Sequence, residues 1–145
     1  MRDEVTGMHV KWMECGTAGK LEPRSLSQPT WIDIESAVLA LDGVNNTYLW
    51  LWVTSNQSEH QFMGNEKLLE IAVCDGAWWL AGSCDGLSYW ELDNAEHDEE
   101  LSRDSFDSVP LKQRHLCRDL KAVLQAAKYF CEHLQFDPVF RWRKW

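Results

Sequence analysis

Apolar and polar residues along this chain repeat in two periods: a step of two over several short runs, and steps of three and four over two longer ones. The first period predicts strands and the second helices. In "MHVKWMECG", Met8, Val10 and Trp12 alternate with His9, Lys11 and Met13 ahead of Gly16, which predicts a first strand. "GTAGKLEPRSLSQP", from Gly16 to Pro29, is rich in turn formers and has no sustained period, so it reads as a connecting loop. In "TWIDIESAVLALDG", Thr30 stands as N-cap with Asp33 three residues on, and Asp42-Gly43 forms a stop. Trp31, Ile34, Val38 and Leu41 share one stripe of the helix so bounded, which suits a helix lying on a sheet.

The next strand, "YLWLWV", places Tyr48, Trp50 and Trp52 on one face and Leu49, Leu51 and Val53 on the other. Both faces are apolar, so each needs something to pack against. "KLLEIAVC" and "AWWLA" flank Asp75-Gly76, a strong hairpin signal, and the pair is predicted to be antiparallel. After "GSCDG" a further strand, "LSYWEL", sets Leu87, Tyr89 and Glu91 against Ser88, Trp90 and Leu92. The stretch from Asp93 to Ser108 has few apolar residues and reads as a solvated loop closed by Pro110. From His115, the residues Leu116, Leu120, Val123, Leu124, Ala127, Cys131 and Leu134 step at helical spacing up to Asp137-Pro138, and "VFRWRKW" alternates as a last edge strand. The order is strand, helix, several strands, helix, short strand. It predicts one α+β domain over residues 1–145, with a mainly antiparallel meandering sheet and two helices.

Composition changes this picture in one respect. At 145 residues and 45% hydrophobic the chain can bury a self-sufficient core, but 9 Trp against 5 Phe and 3 Tyr is an excess that needs a reason. Most of these indoles are expected in the core. Trp78 and Trp79 are neighbours on a strand and must point to opposite faces, and with two helices one sheet face is left partly covered. An aromatic patch rimmed by charge marks a binding surface, and Trp90 stands just before the acidic stretch.

Charge then narrows the partner. The formal net charge is −9, and between Asp93 and Asp107 the acids Asp93, Glu96, Asp98, Glu99, Glu100, Asp104 and Asp107 are relieved only by Arg103. Nucleic-acid backbones and anionic membranes both require cationic contacts, so neither is expected as a direct partner; a basic protein is. The opening residues, "MRDEVTGMHV", carry early acids and no continuous apolar run, and the five cysteines lack C-x-x-C spacing; both point to a cytoplasmic protein with reduced thiols.

Catalytic and metal chemistry is thinly represented. Cys84 sits at the centre of a G-x-C-x-G pattern, but a nucleophile elbow runs from strand into helix, whereas strand-like residues follow Gly86. His115-x-Cys117 and Cys131-x-His133 are the nearest metal-like groupings, and residues two apart on a helix face different sides. There is no phosphate loop and no H-E-x-x-H. No catalytic residue, metal or cofactor is therefore assigned. The candidate contact set is Trp79, Trp90, Asp93, Glu96, Asp98, Glu99 and Glu100.

Taken in order and spacing, "TWIDIESAVLALDG" at 30–43, the Asp-Gly hairpins, "RDLKAVLQAAKYF" at 118–130 and "LQFDPVFRW" at 134–142 resemble immunity protein family 1 of bacterial polymorphic-toxin systems. Where that family often has a glycine-rich strand near the middle, this chain reads "GNEKLLEIAVCDGAWWL". The resemblance implies a small cytosolic antidote that binds a cognate secreted toxin domain, often a nucleic-acid deaminase or nuclease, and blocks it. It implies no catalytic residues. Two other classes stay open: a small cytosolic enzyme using Cys84 or a carboxylate in a cleft, and a general protein-interaction adaptor.

Overall fold

A computed structural model describes residues 8–17, 23–53, 67–74, 76–93, 100–106, 109–112 and 117–144; for 74, 100–106 and 109–112 only the backbone is described. The strands are β1 (Trp12–Gly16), β2 (Arg24–Ser27), β3 (Tyr48–Trp52), β4 (Leu68–Cys74), β5 (Ala77–Ser83), β6 (Trp90–Leu92), β7 (Glu100–Phe106), β8 (Val109–Lys112) and β9 (Trp142–Lys144). The helices are α1 (Trp31–Leu39) and α2 (Leu120–His133). Seven strands form one antiparallel sheet in the order β2-β1-β3-β4-β5-β6-β9, and β7 and β8 pair separately. The architecture is the α+β arrangement that the periodicities predict.

Local chemistry explains the elements that the pattern located. Thr30 caps α1 in a full capping box: its hydroxyl accepts the Asp33 N–H, and the Asp33 carboxylate accepts the Thr30 N–H at 2.8 Å. The helix stops at Leu39, earlier than the Asp42-Gly43 signal: the Ala40 N–H still reaches the Ser36 carbonyl four residues back, whereas the Leu41 N–H turns to Val38, only three back. Asp42 then builds the next turn, its Oδ1 accepting three backbone N–H groups from Val44, Asn45 and Asn46. Asp119 caps α2, and Leu134 closes it in the left-handed region at φ +54, ahead of Asp137-Pro138. In the central hairpin Cys74 lies opposite Ala77, and Gly76 supplies the φ of +77 that such a tight turn needs.

One core joins the helices to the sheet. Ile34 and Val38 of α1 and Val123, Ala127, Phe130 and Cys131 of α2 pack on Leu49, Leu51, Leu69, Ile71 and Leu80, all with essentially no exposure. These residues occupy alternate positions of β3, β4 and β5, so they define one face of the sheet. Trp142 of β9 extends that face, stacked on Phe136 at 4.5 Å.

Three expectations need correcting. β2 lies within the stretch read as a loop; its four residues are all exposed, so an edge strand paired only with β1 left no hydrophobic alternation to detect. The acidic stretch is not a plain loop, since β7 and β8 form a hairpin there, and Pro110 belongs to β8, where an edge position tolerates a residue without N–H. The strand expected from Leu87 begins only at Trp90, because Asp85 ties the N–H groups of Leu87 and Ser88 into a turn. Even with Leu87, Ser88 and Tyr89 outside a strand, Cys84 lacks the setting of a nucleophile elbow: the chain passes from β5 through a turn into β6, its antiparallel neighbour, with no helix between them.

Candidate functional site: an indole and carboxylate face

The second face of the sheet carries the residues opposite in parity to the core. In register across the strands run Trp12 beside Trp52, Glu14 beside Trp50 and then Glu70, Tyr48 beside Ala72 and then Trp79, and Ala81 beside Glu91 and then Arg143. The Tyr48, Trp50 and Trp52 side of β3 therefore faces away from both helices. Its rings lean on one another, Tyr48 to Trp50 at 5.1 Å and Trp50 to Trp52 edge-on at 5.8 Å.

Three glutamates, Glu14, Glu70 and Glu91, lie on this face in a single row across the sheet. Glu14 and Glu91 are buried, at 9% and 4% exposure, and a buried carboxylate requires donors. Each has an aromatic one. Tyr48 donates its hydroxyl to Glu14 Oε2 at 3.3 Å, and Trp79 donates its indole N–H to Glu91 Oε1 at 2.9 Å. Tyr89 bonds Glu70 and packs with Trp79 on the small floor of Ala72, Ala77 and Ala81.

The phenols record this setting. Burial first, then the Glu14 charge and bond, push the Tyr48 hydroxyl up to about 12. Burial likewise raises Tyr89, reinforced by Glu70 and Glu91. Both tyrosines stay protonated and donating. None of the three glutamates was singled out from the sequence, although the signal was present: "WMEC", "LLEI" and "WEL" each place one glutamate inside an apolar strand. The tight turn at Gly76 fixes Glu70 opposite Ala81.

The predicted contact residues are distributed over both sides of the sheet. Trp79 belongs to the glutamate face and is 5% exposed, so it serves the interior of this conformation. Trp90 pairs with Gly82 and shares parity with Leu92, which lies in the helix-side core, so Trp79 and Trp90 sit on opposite faces. Trp90 is half-buried, as is Asp93, whose N–H donates to the Arg141 carbonyl. Glu100 begins β7, and Glu96, Asp98 and Glu99 lie outside the described residues. β7 comes within 8 Å of β4, Cα to Cα, which brings the strand that Glu100 opens to the central strand of the main sheet.

No protein-family model, curated protein or solved structure matches this chain.

Cys84 is half-buried, and burial with the neighbouring Asp85 pushes its thiol up to about 12, despite the opposing bond from the Phe136 backbone. A nucleophilic thiol needs the reverse shift. Cys15, Cys84, Cys117 and Cys131 form no disulfide. Among the described residues no group of three His, Cys, Asp or Glu side chains is placed to hold a metal ion, and no helix is long and apolar enough to cross a membrane.

Proposed function

We propose that this chain is an immunity protein: a stoichiometric antidote that binds a basic, secreted bacterial toxin domain acting on nucleic acid, as a deaminase or nuclease, and blocks it in the cytoplasm. The observation that supports the reading best is the form of the acidic stretch. Within a run of seven acids and one arginine, Glu100 and Asp104 lie on β7, which pairs with β8 and comes close to the central strand of the sheet. An acidic segment is suited to overlie a groove whose cations hold nucleic acid, and such charge steers encounter before contact is made.

The mechanism asks only for binding. An interface of standard size, roughly 1,600 Å² in total, suffices for tight inhibition when a few anchors are well packed, and the tightest protein complexes reach Kd values of about 10⁻¹³ M. Trp90 and Asp93 are the described members of the candidate set that retain surface, and they lead directly into the acidic segment. The Cys84 enzyme reading is disfavoured by a thiol held protonated.

Co-expression with the product of the adjacent upstream gene tests the proposal. Survival of cells that otherwise die, together with a one-to-one complex on co-purification, is the expected result. Protection at substoichiometric amounts would point to an enzyme, and lack of both protection and complex would remove the antidote reading.

A further inference from the structure

The main sheet begins at β2, whose sequence reads almost the same in both directions. From Pro23 to Pro29 the chain is "PRSLSQP": Leu26 stands at the centre, with Ser25 and Ser27, then Arg24 and Gln28, then Pro23 and Pro29 at equal distances from it. Arg24 and Gln28 alone break the palindrome. Among the described residues only β1 pairs with β2, and all four β2 residues are exposed.

Which backbone groups face away from β1 follows from the ladder. Trp12 lies opposite Ser27 and Met13 opposite Leu26, and one step on the Gln28 N–H donates to the Lys11 carbonyl at 2.9 Å. In an antiparallel pair, hydrogen-bonded and non-bonded positions alternate, so Gln28, Leu26 and Arg24 turn their backbone groups to β1. Ser25 and Ser27 turn theirs outward. The side chains divide likewise: Leu26 shares the helix-side face with the buried Met13 and is nonetheless 41% exposed, whereas Ser25 and Ser27 stand beside Glu14 and Trp12 on the glutamate face.

We propose that β2 is the contact through which two copies of this chain associate, antiparallel about a two-fold axis at Leu26, joining their sheets edge to edge. A two-fold contact requires a self-complementary surface, and the palindrome supplies one. In this register Ser25 of each copy faces Ser27 of the other at hydrogen-bonded positions, so both outward residues are used. Leu26 meets its own counterpart at a non-bonded position, where side chains approach most closely, and its exposed surface leaves water. The prolines exclude the neighbouring registers. Centring on Ser25 sets Pro23 against Ser27, and centring on Ser27 sets Ser25 against Pro29, in each case at a hydrogen-bonded position where proline has no N–H to give. Arg24, whose guanidinium donates to the Asn46 side chain, falls opposite the neutral Gln28. The contact is short and each copy carries a formal net charge of −9, so the association is weak. This inference does not depend on the antidote reading.

The test is sedimentation velocity of the whole protein, from micromolar to millimolar concentration at a salt level that screens the net charge, together with amide hydrogen exchange. A monomer–dimer equilibrium with a Kd of about 0.1 mM is expected, with the Ser25 and Ser27 amides gaining protection as concentration rises. Leu26→Lys opposes two ammonium groups and should weaken the dimer by about tenfold or more. Leu26→Lys mixed with Leu26→Glu should associate more tightly than either variant alone. The proposal is overturned if the parent stays monomeric at millimolar concentration, if Leu26→Lys dimerises as the parent does, if the mixture gains nothing, or if the amides protected by concentration lie elsewhere.

Discussion

At Gly82 a side chain is excluded by backbone. A methyl group there would stand 2.1 Å from the Leu68 carbonyl oxygen and 2.9 Å from the Leu69 Cα, both in the strand that β5 pairs with. Relief requires opening that ladder, so Gly82→Ala should cost about 2–4 kcal/mol in urea unfolding, well above a typical surface substitution. Cys84 makes a second prediction, in pH. Its thiol titrates near 9.0 ordinarily and is pushed up to about 12 in the fold, chiefly by burial, so the unfolded chain loses its proton first. A raised folded value means that the stabilisation is complete below pH 9 and fades as pH climbs towards 12. Cys131, raised to about 12 by burial, acts in the same direction. Cys84→Ala should therefore flatten the loss of stability between pH 9 and 11 when denaturant midpoints are compared, and a slope unchanged from the parent would show that the thiol is not held as described.

Elements with a buried face were legible in the sequence, and elements without one were not. The stripe of Ile34, Val38 and Leu41 and the alternation through β3 reflect side chains that the core selects, and Gly76 reflects the positive φ that the tight turn between β4 and β5 requires. β2 has no buried residue, and its Leu26 is 41% exposed; it is held by β1 through backbone bonds to which any sequence can contribute. The glutamate row is the harder case. It lies on positions where burial normally demands apolar side chains, and aromatic donors brought from other strands help to satisfy it. Element stability should follow the same division. Thr30→Ala, which removes one half of a capping box, should cost about 1 kcal/mol, whereas Leu26→Ser on the exposed edge should stay within about 0.5 kcal/mol. Parallel denaturant melts of the two variants check the contrast.

At the level of the whole molecule, the two faces of the sheet have separate duties. One holds the helices; the other packs indoles around carboxylates. If the chain neutralises a basic toxin, its association rate should depend on the acidic segment and its fold on the interior aromatics. Reversing Glu96, Asp98, Glu99 and Glu100 to lysine should slow association at low salt by about tenfold or more, with little change at high salt, where steering is screened. Stopped-flow association against ionic strength measures this. Trp79→Ala should act differently: it removes a buried indole and strips Glu91 of its 2.9 Å donor, so it should cost about 3–5 kcal/mol of stability. The fraction that remains folded should still capture the toxin at the parental rate. Trp90, half-buried at the entry to the acidic segment, is the indole whose loss should speed dissociation. Should Trp79→Ala slow capture while the fold survives, the glutamate face itself would be the docking surface, opened by the partner on contact.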